Sequence, residues 1–228
     1  MHLQESSVWI PPRPSRATRQ IALRSKRSFR GALVSPFNDC PEGRSVVFDS
    51  RLELKTLLVI LARTDIVDLW DQPPAVSYVD TTGKRCTHVF DFLAIRTGGR
   101  KSAIAVKPVE LAERLKFRET LTLIARQLPP GFADEVVLVT ERTLTREEVY
   151  NAEMFHAFRR HRWPEVDAAV AQIIDSLEGL VLIGNIVRAT GFGGRAFRSV
   201  VLHIADGHLE QIGRGVIDYD TRVKRRAV

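Results

Sequence analysis

Cysteine is scarce. Cys40 and Cys86 are the only two in 228 residues, and neither belongs to a C-x-x-C pair. That excludes a disulfide framework and a zinc ribbon and fits a reducing compartment. Long apolar runs are missing too, since none reaches the roughly 18 residues that a membrane-spanning helix needs. The first twenty residues, MHLQESSVWIPPRPSRATRQ, lack the apolar centre of a secretory leader. A cytoplasmic location is expected. Acids are absent from Pro11 to Arg30, where Arg13, Arg16, Arg19, Arg24, Lys26, Arg27 and Arg30 stand among Pro11, Pro12 and Pro14. Such a stretch has too little apolar surface to fold alone. It reads as a solvated tail, as an arm that gains order on DNA phosphates or on another subunit, or as an organelle transit peptide.

What is present is enough for folded cores: 44% of the residues are hydrophobic, and the length suits two small domains. Lys and Arg outnumber Asp and Glu by 34 to 27, giving a net charge of +7 that suits a polyanionic partner. Folded structure is expected from about Val46. Ser50 can cap a helix carrying Leu52, Leu54, Leu57, Leu58, Ile60 and Leu61, with Glu53 at the capping-box position. Strand-like stretches follow, with turns at Asp71 to Pro74 and Thr82 to Lys84. Residues 88–110, HVFDFLAIRTGGRKSAIAVKPVE, read as two strands joined by a Gly-Gly turn. Pro108 then opens a helix over Val109 to Gln127 with Leu111, Leu115, Leu121 and Ile124 inward, and 134–140 is a buried strand. The order is that of an α/β core with a mixed sheet.

The two strands of 88–110 place Asp91 and Lys107 at neighbouring strand ends. An acid, a spacer and an acid-x-lysine run make a metal-dependent phosphodiester-cutting site, in which carboxylates hold Mg²⁺ and the lysine steadies the attacking water. Glu53 is the further carboxylate. The second position of the acid-x-lysine run is Ala105, whose methyl group binds no metal. His88 stands beside this segment and reads as an ordinary strand residue. His156 and His161 are five apart and do not share a helix face.

Beyond Thr145 helices dominate. Pro164 starts one with Val166, Val170, Ile173, Ile174 and Leu177 at helical spacing. A short helix, a glycine turn, a longer helix over Arg195 to Ala205 and a β-hairpin follow, in the outline of a winged helix-turn-helix. Arg195 and Arg198 would project from the recognition helix and Arg214 from the wing, as DNA-binding residues or as a basic face that docks on protein.

SRLE at 50–53, DQPP at 71–74, FDFL at 90–93, AIAVKP at 103–108 and the winged-helix-like tail together resemble the TnsA subunit of heteromeric bacterial transposases, over about residues 45–215. The resemblance implies a basic arm (1–44), a restriction-endonuclease-like mixed-sheet domain (45–143) and a winged-helix domain (144–228). It also implies a Mg²⁺-dependent endonuclease, with Mn²⁺ as an alternative ion, that cuts the non-transferred strand of double-stranded DNA at transposon ends. A TnsB-like DDE transposase and a TnsC-like AAA+ regulator would be its partners. By motif match Glu53 is the helix carboxylate, Asp91 the metal-binding aspartate and Lys107 the catalytic lysine, with Val106 lending its backbone carbonyl. The family has Gln or Glu where this chain has Ala105. Three accounts of that departure stand: a ligand removed in a variant, a naturally silent DNA-binding adaptor, or replacement by Glu110. A stand-alone nuclease of a mobile element or defence system is a further reading of the same domains.

Overall fold

The computed structural model describes residues 10–19 and 29–226. The protein is mixed α/β and divides into two compact units, Met1–Leu54 with Ile66–Thr140, and Lys55–Asp65 with Glu141–Val228.

Strand structure in the first unit begins upstream of the expected Val46. β1 (Gly31–Phe37) and β2 (Cys40–Phe48) form an antiparallel hairpin, so the expected 44/45 boundary falls inside a strand. The reason is an inward alternation of Arg44, Val46 and Phe48 that the basic composition upstream conceals. Arg44 is buried and partnered at its outer nitrogens: it ion-pairs with Asp68, donates to the Leu69 carbonyl at 2.7 Å and lies 4.2 Å from the Phe37 ring centroid, while its Nε is buried without a hydrogen-bond partner.

The described part of the basic segment is docked on this unit. Arg13 exchanges backbone hydrogen bonds with Gly43 and Ser45, both 2.9 Å, and its guanidinium donates to Glu42 at 2.7 Å. Arg16 bonds Asp68 at 2.7 Å and Asp39 at 3.0 Å. Arg24, Lys26 and Arg27 lie outside the described residues.

After the hairpin comes α1 (Arg51–Leu61), whose first turn belongs to the first unit and whose remainder belongs to the second. β3 (Ile66–Asp71) leads to a small antiparallel hairpin of β4 (Val76–Val79) and β5 (Arg85–His88). β6 (Phe92–Arg96), β7 (Lys101–Val106) and β8 (Glu135–Val139) complete a four-stranded sheet of order β3-β6-β7-β8. Its first two pairings are antiparallel and the last is parallel. A parallel step needs a crossover, here α2 (Val109–Arg114) and α3 (Phe117–Ala125). The single helix expected over 109–127 is therefore broken. Lys116 takes a left-handed φ of 49°, which leaves Leu115 53% exposed and redirects Phe117, Leu121 and Ile124 into the core.

In the second unit α4 (Arg146–Arg159) starts at a Thr145–Glu148 capping box, and α5 (Pro164–Asp175) starts at proline. β9 (Val181–Leu182), α6 (Ile183–Thr190), α7 (Gly194–Ala205), β10 (Leu209–Ile212) and β11 (Arg222–Arg225) follow. The strands make an antiparallel sheet of order β10-β11-β9. Val166, Val170, Ile186, Val200 and Val223 are fully or almost fully buried between these elements. Asn151 pins the loop between β10 and β11, donating to Gly215 O and accepting from Ile217 N, both at 2.9 Å.

Asp71 is the fixing point of the first unit. It is fully buried, and its Oδ2 accepts from Ser15 Oγ at 2.6 Å and from Val47 N at 2.8 Å. Asp71→Ala strands both donors and is expected to lower the unfolding free energy by about 2 to 3 kcal/mol, measured by urea denaturation. An unchanged midpoint would mean that the segment and hairpin are held elsewhere.

Candidate active site

Glu53 sits in the first turn of α1 and is 8% exposed. Ser50 Oγ accepts the Glu53 N–H at 3.1 Å and donates to its Oε1 at 2.9 Å, while the Asp49 N–H donates to Oε2 at 2.6 Å. The helix cap thus orients the carboxylate. Burial pushes the Glu53 carboxyl above its ordinary value, with the two hydrogen bonds opposing.

Asp91 precedes β6. Its N–H donates to Ile104 O and its carbonyl accepts from Gln72 N, both at 2.9 Å. Gln72, with a left-handed φ of 44°, belongs to the DQPP turn, so that motif holds the backbone of Asp91. The Asp91 Oδ2 accepts the Val106 N–H at 2.6 Å, which ties the carboxylate to the end of β7. Burial and then the negative charge of Glu53 push Asp91 up to about 7, against the Val106 hydrogen bond and the charges of Lys107 and Arg19.

Lys107 hydrogen-bonds through its N–H to Val139 O at 3.0 Å, and its Nζ lies 4.5 Å from the centroid of the Phe117 ring. Its charge also acts on His88. That imidazole is pushed down to about 4, by burial first and by Lys107 second, and stands edge-on to Phe90. His88 is therefore neutral at physiological pH, and its buried Nε2 has no hydrogen-bond partner in the structure.

Ala105 is 1% exposed and pairs with Leu138 across β7 and β8. It packs in an apolar cluster with Ala103, Phe90, Ala112 and Phe117, the last of which carries the Lys107 Nζ on its ring face. Glu110 is an exposed first-turn acid of α2. Sequence reasoning named Arg19 only as one of the basic run and left out Asp49; the two ion-pair beside Glu53. The acid-free run signalled a basic segment, but nothing in its spacing signalled where it docks.

Mg²⁺ keeps most of its waters and takes one or two protein carboxylates, and the carboxylates on offer here are Glu53 and Asp91, both buried and each held by a backbone N–H donor. Among the described residues no group of three or more His, Cys, Asp or Glu is arranged to hold a metal.

In the second unit Arg195 is exposed, 5.4 Å over the Phe192 ring and 3.8 Å from Glu165. Arg214 is exposed in the loop between β10 and β11. Arg198 departs from the expected projection: its guanidinium lies over Phe158 at 4.5 Å and Trp163 at 5.2 Å, because those aromatics offer a face to a partly buried cation.

No protein-family model matches the chain, and no curated protein matches it. Among the described residues, no helix is long and apolar enough to cross a membrane.

The position of Asp91 sets a pH dependence. A carboxyl with a raised folded-state value costs nothing below its unfolded value, near 3.8, and its full cost appears once pH passes the folded value of about 7. Asp91→Asn keeps an acceptor for Val106 and cannot ionise. Relative to the wild type it is expected to gain about 1 to 3 kcal/mol of stability between pH 4 and pH 8, measured by urea denaturation at both values. An equal effect at both would contradict the raised value.

Proposed function

We propose that the protein is a Mg²⁺-dependent DNA endonuclease subunit of the TnsA type, with Mn²⁺ as an alternative ion. It cuts the non-transferred strand at transposon ends beside a TnsB-like DDE transposase and a TnsC-like AAA+ regulator. The observation that carries the reading is the buried Asp91 carboxylate before β6, tied to the Val106 N–H at the end of β7 next to Lys107, with the charges of Glu53 and Lys107 both acting on it. The mixed sheet with an acid at the start of β6 and a lysine just past β7 supports a restriction-endonuclease-like core. The order α5, β9, α6, α7, β10, β11, with sheet order β10-β11-β9, supports a winged helix.

When bound, Mg²⁺ would lower the pKa of a water and offset charge on the phosphate. Glu53 and Asp91 would hold it, with the Val106 carbonyl as a further donor. Lys107 orients the attacking water and neutralises developing phosphorane charge. Attack displaces the 3′-oxygen and leaves a 3′-hydroxyl and a 5′-phosphate. Arg195 and Arg214 contact DNA phosphates, while Arg198 stiffens the helix that carries Arg195.

The burial of Ala105 in the core favours a second reading, a silent DNA-binding adaptor of the same assembly. Mg²⁺-dependent nicking of supercoiled and transposon-end DNA separates the two. The nuclease reading expects nicking that falls at least about 10²-fold in Asp91→Asn and in Lys107→Ala. DNA binding without nicking, in the wild type and in Ala105→Glu and Ala105→Gln alike, would overturn it in favour of the adaptor.

A further inference from the structure

Arg13 and Arg16 are committed to docking, the first on Glu42 and the second between Asp39 and Asp68. Arg19 is placed differently. Thr18 N–H donates to Gln72 O at 3.1 Å, and Gln72 N–H donates to Asp91 O at 2.9 Å. The residue before Arg19 is thus two backbone hydrogen bonds from Asp91. Arg19 pairs with Asp49, whose own N–H holds the Glu53 carboxylate. Its positive charge is felt at both Glu53 and Asp91. The side chain is 60% exposed, whereas that of Asp49 is 15% exposed.

We propose that Arg19, delivered to the carboxylate pair by the docked 10–19 segment, is a phosphate-binding residue of this site. The inference rests on the nuclease reading and extends it. A planar guanidinium fork donates to two phosphate oxygens as it can to two carboxylate oxygens, so Asp49 holds in the free protein a group shaped for the DNA backbone. Arg30 also reaches Asp49, at 3.0 Å, so Asp49 keeps a cationic partner when Arg19 turns to a phosphate. With Ala105 supplying no third acid, the site has fewer carboxylates to set against this cation. The incoming phosphodiester then meets Lys107 and Arg19 beside two carboxylates.

Arg19→Ala and Arg19→Lys in the full chain test this by three readouts: single-turnover nicking of supercoiled DNA in Mg²⁺, duplex affinity across a salt series, and the melting temperature. Arg19→Ala is expected to nick about 10²-fold more slowly. The slope of log affinity against log salt should fall by about 0.9, one phosphate contact, at an unchanged melting temperature. Arg19→Lys should restore the slope and only part of the rate. Wild-type rate and slope in Arg19→Ala would overturn the proposal. So would a lowered melting temperature with a slope that Arg19→Lys does not restore, since the residue would then serve docking alone. If the wild type, Ala105→Glu and Ala105→Gln all bind DNA without nicking, the nuclease reading falls while the slope still decides Arg19. A wild type that binds no duplex overturns both.

Discussion

Glu53 and Asp91 are buried carboxylates, and the charge of the first opposes ionisation of the second. Neither Glu53 nor Asp91 keeps its ordinary pKa: burial raises both, and the charge of Glu53 lifts Asp91 further. Fixed donors hold them in place. Ser50 and the Asp49 N–H hold Glu53, and the Val106 N–H holds Asp91. These bonds favour the ionised forms without cancelling the repulsion, and a divalent cation would remove what is left.

The surroundings make the arrangement affordable only as a whole. Asp71 joins the basic segment, β2 and the end of β3, and the next residue, Gln72, carries the turn that grips the backbone of Asp91. Arg44 and Arg16 meet on Asp68, so the docked segment and the hairpin share one ion-pair network. Its half-buried members are worth more than exposed pairs, because screening by solvent is weaker there. The protein places buried acids where basic side chains reach them, and the same logic brings Arg19 to Asp49.

Much of this frame was legible in the chain. Ser50 and Glu53 spell a helix cap, and the structure gives that cap a carboxylate aimed by it. The cap hydrogen bonds hold the carboxylate that the proposed site uses. The Gly-Gly turn and the alternation on either side of it place Asp91 and Lys107 at strand ends. Local patterns could not reveal long-range docking. The segment containing Arg13 and Arg16 lacks periodicity, and its partners Glu42 and Asp68 lie about 30 and 50 residues away. The break at Lys116 was hidden because α2 and α3 are both helical and only the crossover geometry requires a turn between them. The stacking of Arg198 on Phe158 and Trp163 is hidden for a related reason: helical spacing names a face, not the aromatic rings beside it.

The account turns on whether the Glu53–Asp91 pair is a cation site whose occupation expels a proton. Isothermal titration of Mg²⁺ at pH 7, in two buffers of different ionisation enthalpy, measures this directly. With Asp91 titrating at about 7, binding is predicted to release roughly half a proton, and Asp91→Asn is predicted to abolish both the binding and the release. Mg²⁺ binding without proton release, or binding that survives Asp91→Asn unchanged, would contradict it.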